Sequence, residues 1–214
     1  MVYYFTSNAV DPAAVIYMGK HKEENEELIK YGRDEDLWFH ADKMSSAHVY
    51  LRLRPEQGDS FDNIPPKLLE DCAQLTKGNS IEGNKIDHVT VIYTPWANLK
   101  KTPGMETGQV AFHKENEMKK VYVEKRNNAI INRLHKTRFE KIADLRMEKI
   151  AHEKSKTKAQ KEAERARKSA DEKLVKQRQE EAALRSYDRV FNDEALRHSS
   201  NQGHPTQDDE FDFM

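Results

Sequence analysis

Cysteine is almost missing from this chain of 214 residues: Cys72 stands alone, so no internal disulfide can form. No Asn-X-Ser/Thr acceptor occurs either, and both absences fit a reducing compartment. No apolar run approaches the roughly 20 residues that a membrane-spanning helix requires. The opening "MVYYFTSNAV" also lacks the basic start and apolar core of a signal peptide. The expected address is therefore the cytoplasm, with the nucleus as an alternative. Glycine and proline disappear between Arg126 and Gln202, which excludes a turn-rich fold there. No Gly-rich phosphate loop, nucleophile elbow or paired-carboxylate motif occurs, and no catalytic residue or cofactor is expected.

What the chain has is charge. Charged residues make up 34% and hydrophobic residues 36%, too polar a balance for one globule throughout, so a core domain with a poorly buried extension is expected. The net charge of -1 conceals segregation. Residues 1–113 carry 12 Lys/Arg against 17 Asp/Glu, residues 114–147 carry 10 against 5, residues 148–185 carry 12 against 8, and residues 186–214 carry 2 against 7. A basic arm thus lies between two acidic regions, a pattern that suits a polyanionic partner.

Three regions follow. Residues 1–125 read as an α+β domain, mainly an antiparallel sheet with one or two covering helices. "VYYFT", "AVIYM", "HVTVIYT", "GQVAFH" and "KKVYVEK" are strand candidates. "EENEELIKYG" reads as a short helix closed by Gly32. In "PPKLLEDCAQLTKGNS", Leu68, Leu69, Cys72, Leu75 and Thr76 recur at helical spacing behind Pro65 and Pro66. Residues 126–185 read as one long charged helix or a broken pair, with Ile130, Ile131, Leu134, Phe139, Ile142 and Leu145 able to dock. If 59 residues were helical they would span on the order of 90 Å. From about 148 onward alanine stands where a coiled coil needs Leu or Ile, so a solvated helix with i,i+4 pairs such as Glu164 with Lys168 is expected. Residues 186–214 read as an acidic, disordered tail, its "DDEFDFM" ending a solubilising tail or a short docking motif.

The stretch "DLWFHADKMSSAHVYLRLR", residues 36–54, carries the most chemistry. Strand alternation sends Leu37, Phe39, Val49 and Leu51 to one face and Trp38, His40, His48, Tyr50 and Arg52 to the other, provided the two halves pair as an antiparallel hairpin. Two histidines with Asp42 could supply three zinc ligands, yet no cysteine or HxH spacing supports them, and no metal is expected. Flat rings beside Arg52, Arg54 and Lys43 would also suit a nucleic-acid platform. On residue chemistry alone that platform and an ordinary covered face stand level.

Gly19-Lys20, Asn25-Glu26, "DLWFHA" from Asp36, "SSAHVYLR" from Ser45, "VIYTPWANLKK" from Val91 and "GQV" from Gly108 together resemble the NFACT-R domain family. The layout is similar to that of the family's small stand-alone members with a helical extension. The resemblance covers residues 1 to about 125 by motif, and the helix and tail by layout alone. It implies RNA or broader nucleic-acid binding, partnership with the ribosome through rRNA or tRNA, a role in ribosome quality control, and no enzymatic activity. The implied binding residues are Lys20, Asn25, Asp36, Trp38, His40, Ser45, His48 and Arg52, with Lys100 and Lys101 as further cations; Tyr50 joins them from the hairpin face. Where larger members usually have Gly, this chain has Ser46, which lacks glycine's access to positive φ. A protein-interaction module built on the charged helix is the competing reading. DNA sensing at a membrane surface, linked to animal relatives, is another.

Overall fold

The computed structural model describes residues 1–54, 60–142 and 144–185. The chain divides into two compact units, Met1–Lys154 and Ser155–Met214. The first is an α+β domain. Its β-branched and aromatic runs form β1 (Val2–Ser7), β2 (Ala14–Gly19), β3 (Asp36–Ala41), β4 (Val49–Arg52), β5 (Val89–Pro95), β6 (Leu99–Lys100), β7 (Ala111–Phe112), β8 (Lys119–Val123) and β9 (Phe139–Lys141). Four helices accompany them: α1 (Lys22–Tyr31), α2 (Pro66–Gly78), α3 (Asn128–Lys136) and α4 (Leu145–Arg185).

Seven strands make one sheet in the order β8-β5-β3-β4-β2-β1-β9, each pair antiparallel, while β6 and β7 form a separate two-stranded ribbon. The expected pairing of residues 36–54 is present, with Leu37 opposite Leu51 and Trp38 opposite Tyr50. The connection runs from Asp42 to His48, longer than a tight hairpin turn. Lys43 takes the left-handed conformation there, at φ 59°. Ser46 stays out of that region, and its Oγ accepts from Ala41 N at 2.9 Å.

Both faces of the sheet are covered. On the first, Phe5, Ile16, Leu37, Phe39, Val49 and Leu51 pack against Leu68, Cys72 and Leu75 of α2 and Leu134 of α3. The α2 spacing therefore reads correctly, with Pro66 at its first turn and Cys72 fully buried. On the second, Tyr4, Tyr17, Trp38, Tyr50 and Ile92 pack with Leu28 of α1, and Trp96, Leu99, Val110, Phe112 and Leu145 close around them.

Of the two arrangements open for residues 126–185, the broken pair is the one adopted. Asn127 caps α3, its side chain accepting from Ala129 N at 3.0 Å. Ile131 and Leu134 dock as expected, but Phe139 lies in β9 and both it and Ile142 are exposed. The break occurs because Thr137 Oγ1 accepts from Thr6 N at 3.0 Å and lies 3.1 Å from Thr6 O, joining the end of α3 to β1. "GQVAFH" contributes only the two residues of β7, outside the main sheet.

In the second unit, residues 155–185 are helical and exposed throughout. Lys158 pairs with Glu162 at 3.9 Å and Lys168 with Glu164 at 2.8 Å, the one-turn spacing of a solvated helix. The acidic tail, with "DDEFDFM", lies outside the described residues.

Candidate nucleic-acid interface

Alternation along β3 and β4 brings Trp38, His40, Tyr50 and Arg52 to one face, and His48 joins them from just before β4. The sequence expectation that this face presents flat rings for base stacking is corrected by burial. Trp38 is 2% exposed, His48 3% and Tyr50 0%, because α1 and the β6–β7 ribbon cover them. Their polar atoms are turned inward. The Trp38 indole N–H donates to His48 Nδ1 at 3.0 Å, and the His40 ring stacks on Trp38 at 5.3 Å with an interplanar angle of 5°. Burial, reinforced by neighbouring His40, pushes the His48 pKa down to about 3, against an opposing hydrogen bond to the Gly108 backbone. His48 is neutral at physiological pH and serves as an acceptor inside the fold. Burial likewise lowers His40, whose Nδ1 lies 2.8 Å from Ala41 O.

The rings continue as a row across five strands. Phe139 stacks on Tyr4 at 5.3 Å, Tyr4 on Tyr17 at 5.7 Å and Tyr17 on Tyr50 at 5.1 Å, each a direct register pair. Trp38 is the next register partner, opposite Tyr50. Such directly opposed pairs are the unit of sheet stabilisation. Sequence reasoning missed the row, since its members lie in five separate segments.

Asp36 is fully buried and receives four donors: Tyr17 Oη at 2.5 Å, Arg33 N at 2.9 Å, and Arg52 Nε at 3.0 Å and Nη2 at 3.3 Å. Burial opposes the Arg52 cation, but Asp36 and Tyr17 outweigh it and hold its pKa above the ordinary arginine value. The guanidinium also lies 5.0 Å from the Tyr17 ring centroid. Asp36 and Arg52 are thus a fastening between β3, β4 and β2.

Lys101 is equally committed. Its Nζ lies 2.6 Å from Glu26 Oε1, 2.7 Å from Glu106 O and 2.9 Å from Gln109 O, while the same Glu26 oxygen accepts from Gly108 N. Together they clasp residues 102–109 onto α1. Asn25 is buried beside Gly19, where an added Cβ would lie 2.3 Å from Asn25 Oδ1, an atom with no partner among the described residues. Close packing between β2 and α1 thus accounts for the Gly19 and Asn25 pattern. Lys20, Ser45 and Lys100 are exposed. The eleven predicted residues therefore do not form one surface: Asn25, Asp36, Trp38, His48 and Tyr50 are interior, and Lys20, Ser45 and Lys100 lie outside.

Other exposed cations are Lys120, paired with Asp42 at 3.2 Å, and Lys125, Arg126, Lys136 and Arg138. The sequence signal for Lys136 and Arg138 is the basic run between Arg133 and Arg138, which lies within the basic arm. Among the described residues, no three His, Cys, Asp or Glu side chains stand together as metal ligands, and no helix is long and apolar enough to cross a membrane.

A sheet filled on both faces, with its polar aromatics used as internal fastenings and its cations left on the exterior, defines a small α+β domain. The chain belongs to the family described as the NFACT protein RNA binding domain, which matches residues 1–114. It is 48% identical over 203 residues to coiled-coil domain-containing protein 25 of Bos taurus, covering 94% of this chain and 96% of that one. It is also 31% identical over 107 residues to the Rqc2 homolog RqcH of Streptococcus pneumoniae, covering 44% of this chain and 19% of the relative. A solved structure, the C-terminal part of the fibronectin/fibrinogen-binding protein from Streptococcus suis, shares the fold. Its TM-score is 0.51 at 21% identity, over 61% of this chain and 48% of that one.

Proposed function

We propose that this protein is a cytoplasmic RNA-binding adaptor that touches rRNA or tRNA on the ribosome and acts in ribosome quality control. The observation that carries the reading is the match of residues 1–114 to a family described by RNA binding. The partial likeness to an Rqc2 homolog supports the quality-control role. In this reading the buried residues, Asp36, Trp38, His48 and Tyr50, set the shape of the domain, and exposed cations make the phosphate contacts. The helix from residue 155 onward, with Lys and Arg throughout, adds a salt-sensitive contact. Crosslinking in cells followed by sequencing of the bound nucleic acid tests it. Enrichment of rRNA or tRNA fragments is expected. Recovery of DNA alone, or of protein partners that persist after RNase with no RNA enriched, would refute it.

A further inference from the structure

Tyr3, on β1, carries two cations on one ring. The Arg138 guanidinium carbon lies 4.9 Å from the ring centroid and Lys20 Nζ lies 5.9 Å from it. The sum of those distances, 10.8 Å, is the furthest apart the two groups can stand. That is about one screening length in ~0.1 M salt, so the like charges feel each other. The next aromatic on the same face, Phe5, meets the edge of His135 at 5.8 Å, and exposed Lys136 belongs to the same turn.

Three carboxylates of the surrounding elements are committed to other cations. Asp71 takes Arg133 at 2.6 Å, Glu148 takes Lys141 at 2.6 Å, and Glu24 takes the N-terminal amine at 3.0 Å. Glu140, the register partner of Tyr3, is exposed and makes no ion pair among the described residues. Among the described residues, Lys20, Lys136 and Arg138 form no ion pair either. Burial first, and then the Arg138 and Arg126 cations, hold the His135 pKa below its ordinary value. The α3 dipole favours Lys136 at its C-terminus, but Arg138 lies beyond the helix and Lys20 comes from another part of the chain.

We propose that Lys20 and Arg138, which share the Tyr3 ring, together with exposed Lys136 in the last turn of α3, are where the sheet domain grips RNA phosphates. The assignment rests on the RNA-binding reading above and locates its contact. Lys20 and Arg138 reach one ring from different parts of the chain, and separately mounted cations suit the successive phosphates of a polymer. The mount is anchored, because Thr137, between Lys136 and Arg138, accepts from Thr6 N at 3.0 Å while its hydroxyl lies 2.8 Å from Leu134 O and 3.1 Å from Thr6 O. Two of the three cations lie beyond residue 114, where the family match ends.

The test uses the full chain, a fluorescein-labelled pool of tRNA and fragmented rRNA, and anisotropy titrations across a salt series. Lys136→Glu with Arg138→Glu is expected to weaken binding about tenfold or more and to reduce the log–log salt slope by about 1.5. Lys30→Glu with Lys85→Glu changes net charge equally at exposed positions and is expected to stay within about twofold of wild type. Arg138→Lys is expected to bind like wild type, and melting midpoints confirm that each variant is folded. Equal losses in both reversed pairs would reduce the effect to overall charge and overturn the proposal. Wild-type affinity in the Lys136/Arg138 pair would overturn it while leaving RNA binding intact. Retained RNA binding with lost binding to phosphatidylserine vesicles would make this a membrane contact and overturn it. Failure of the wild type to bind the pool would refute the RNA-binding reading itself, and the proposal with it.

Discussion

The indole of Trp38 donates its N–H to Nδ1 of His48 at 3.0 Å, and this bond makes an interior contact of two residues that resemble a binding face. The pair has a pH signature. His48 has a folded pKa near 3 against an ordinary 6.5, so the unfolded chain takes up the proton first. Its stabilising contribution is complete above pH 6.5 and is lost as pH falls from there toward 3. His40, also lowered, adds in the same direction. The upper bound for His48 is roughly 5 kcal/mol. Melting midpoints should fall steadily from neutral pH to about pH 4, and His48→Gln should flatten that fall. An unchanged profile in the variant would remove His48 as its cause.

Asp36 predicts the largest single loss. Asp36→Asn leaves the partly buried Arg52 guanidinium without its anion and should cost about 2–4 kcal/mol in denaturant unfolding. Arg52→Ala should cost a similar amount. If Arg52 acts only as this fastening, RNA affinity measured well below the melting midpoint should match wild type.

At Gly19 the expectation is a coupled pair. Gly19→Ala drives a methyl to 2.3 Å from Asn25 Oδ1 and should destabilise the fold by about 1–3 kcal/mol. Because that oxygen has no partner among the described residues, Asn25→Ala removes the closest contact at little cost, leaving the Asn25 backbone nitrogen at 3.0 Å. The double variant should recover much of the loss, and a thermodynamic cycle in denaturant measures the coupling.

Lys101 and Glu26, each partly exposed, should contribute about 1 kcal/mol or less to global stability. Their effect is local. Lys101→Met should leave the melting midpoint nearly unchanged while sensitising residues 102–109 to limited proteolysis and amide exchange. Equal protection in both proteins would show that the clasp does not hold this loop.

Much of the sheet was legible from alternation. Leu37 with Leu51 and Trp38 with Tyr50 follow from a period of two and one short connection, and α2 follows from Leu68, Cys72 and Leu75. What alternation cannot state is whether the second face is covered. Trp, Tyr and His have apolar bodies and polar tips, so they read alike at a surface and under a lid. The lid here arrives from elsewhere, in Leu28, Leu99 and Phe112. Residues 126–142 were ambiguous for a related reason. No Gly or Pro marks the end of α3, and the signal that does is a tertiary bond from Thr137 to a residue 131 positions earlier. Lys101 and Asp36 read as binding cation and anion because their partners are distant in sequence.

That bond from Thr137 has one more consequence. Without β9, β1 would be an open edge with the sequence "VYYFTS", uncharged, aromatic and β-prone, the composition of segments that pair with copies of themselves. β9 occupies Val2 to Tyr4, and the Thr137 hydroxyl engages both the N–H and the carbonyl of Thr6, extending the ladder by a side chain. Lys141 leaves the outer rim charged. The three residues of β9 are therefore a guard against self-association, and damage to Thr137 should appear as aggregation before it appears as unfolding.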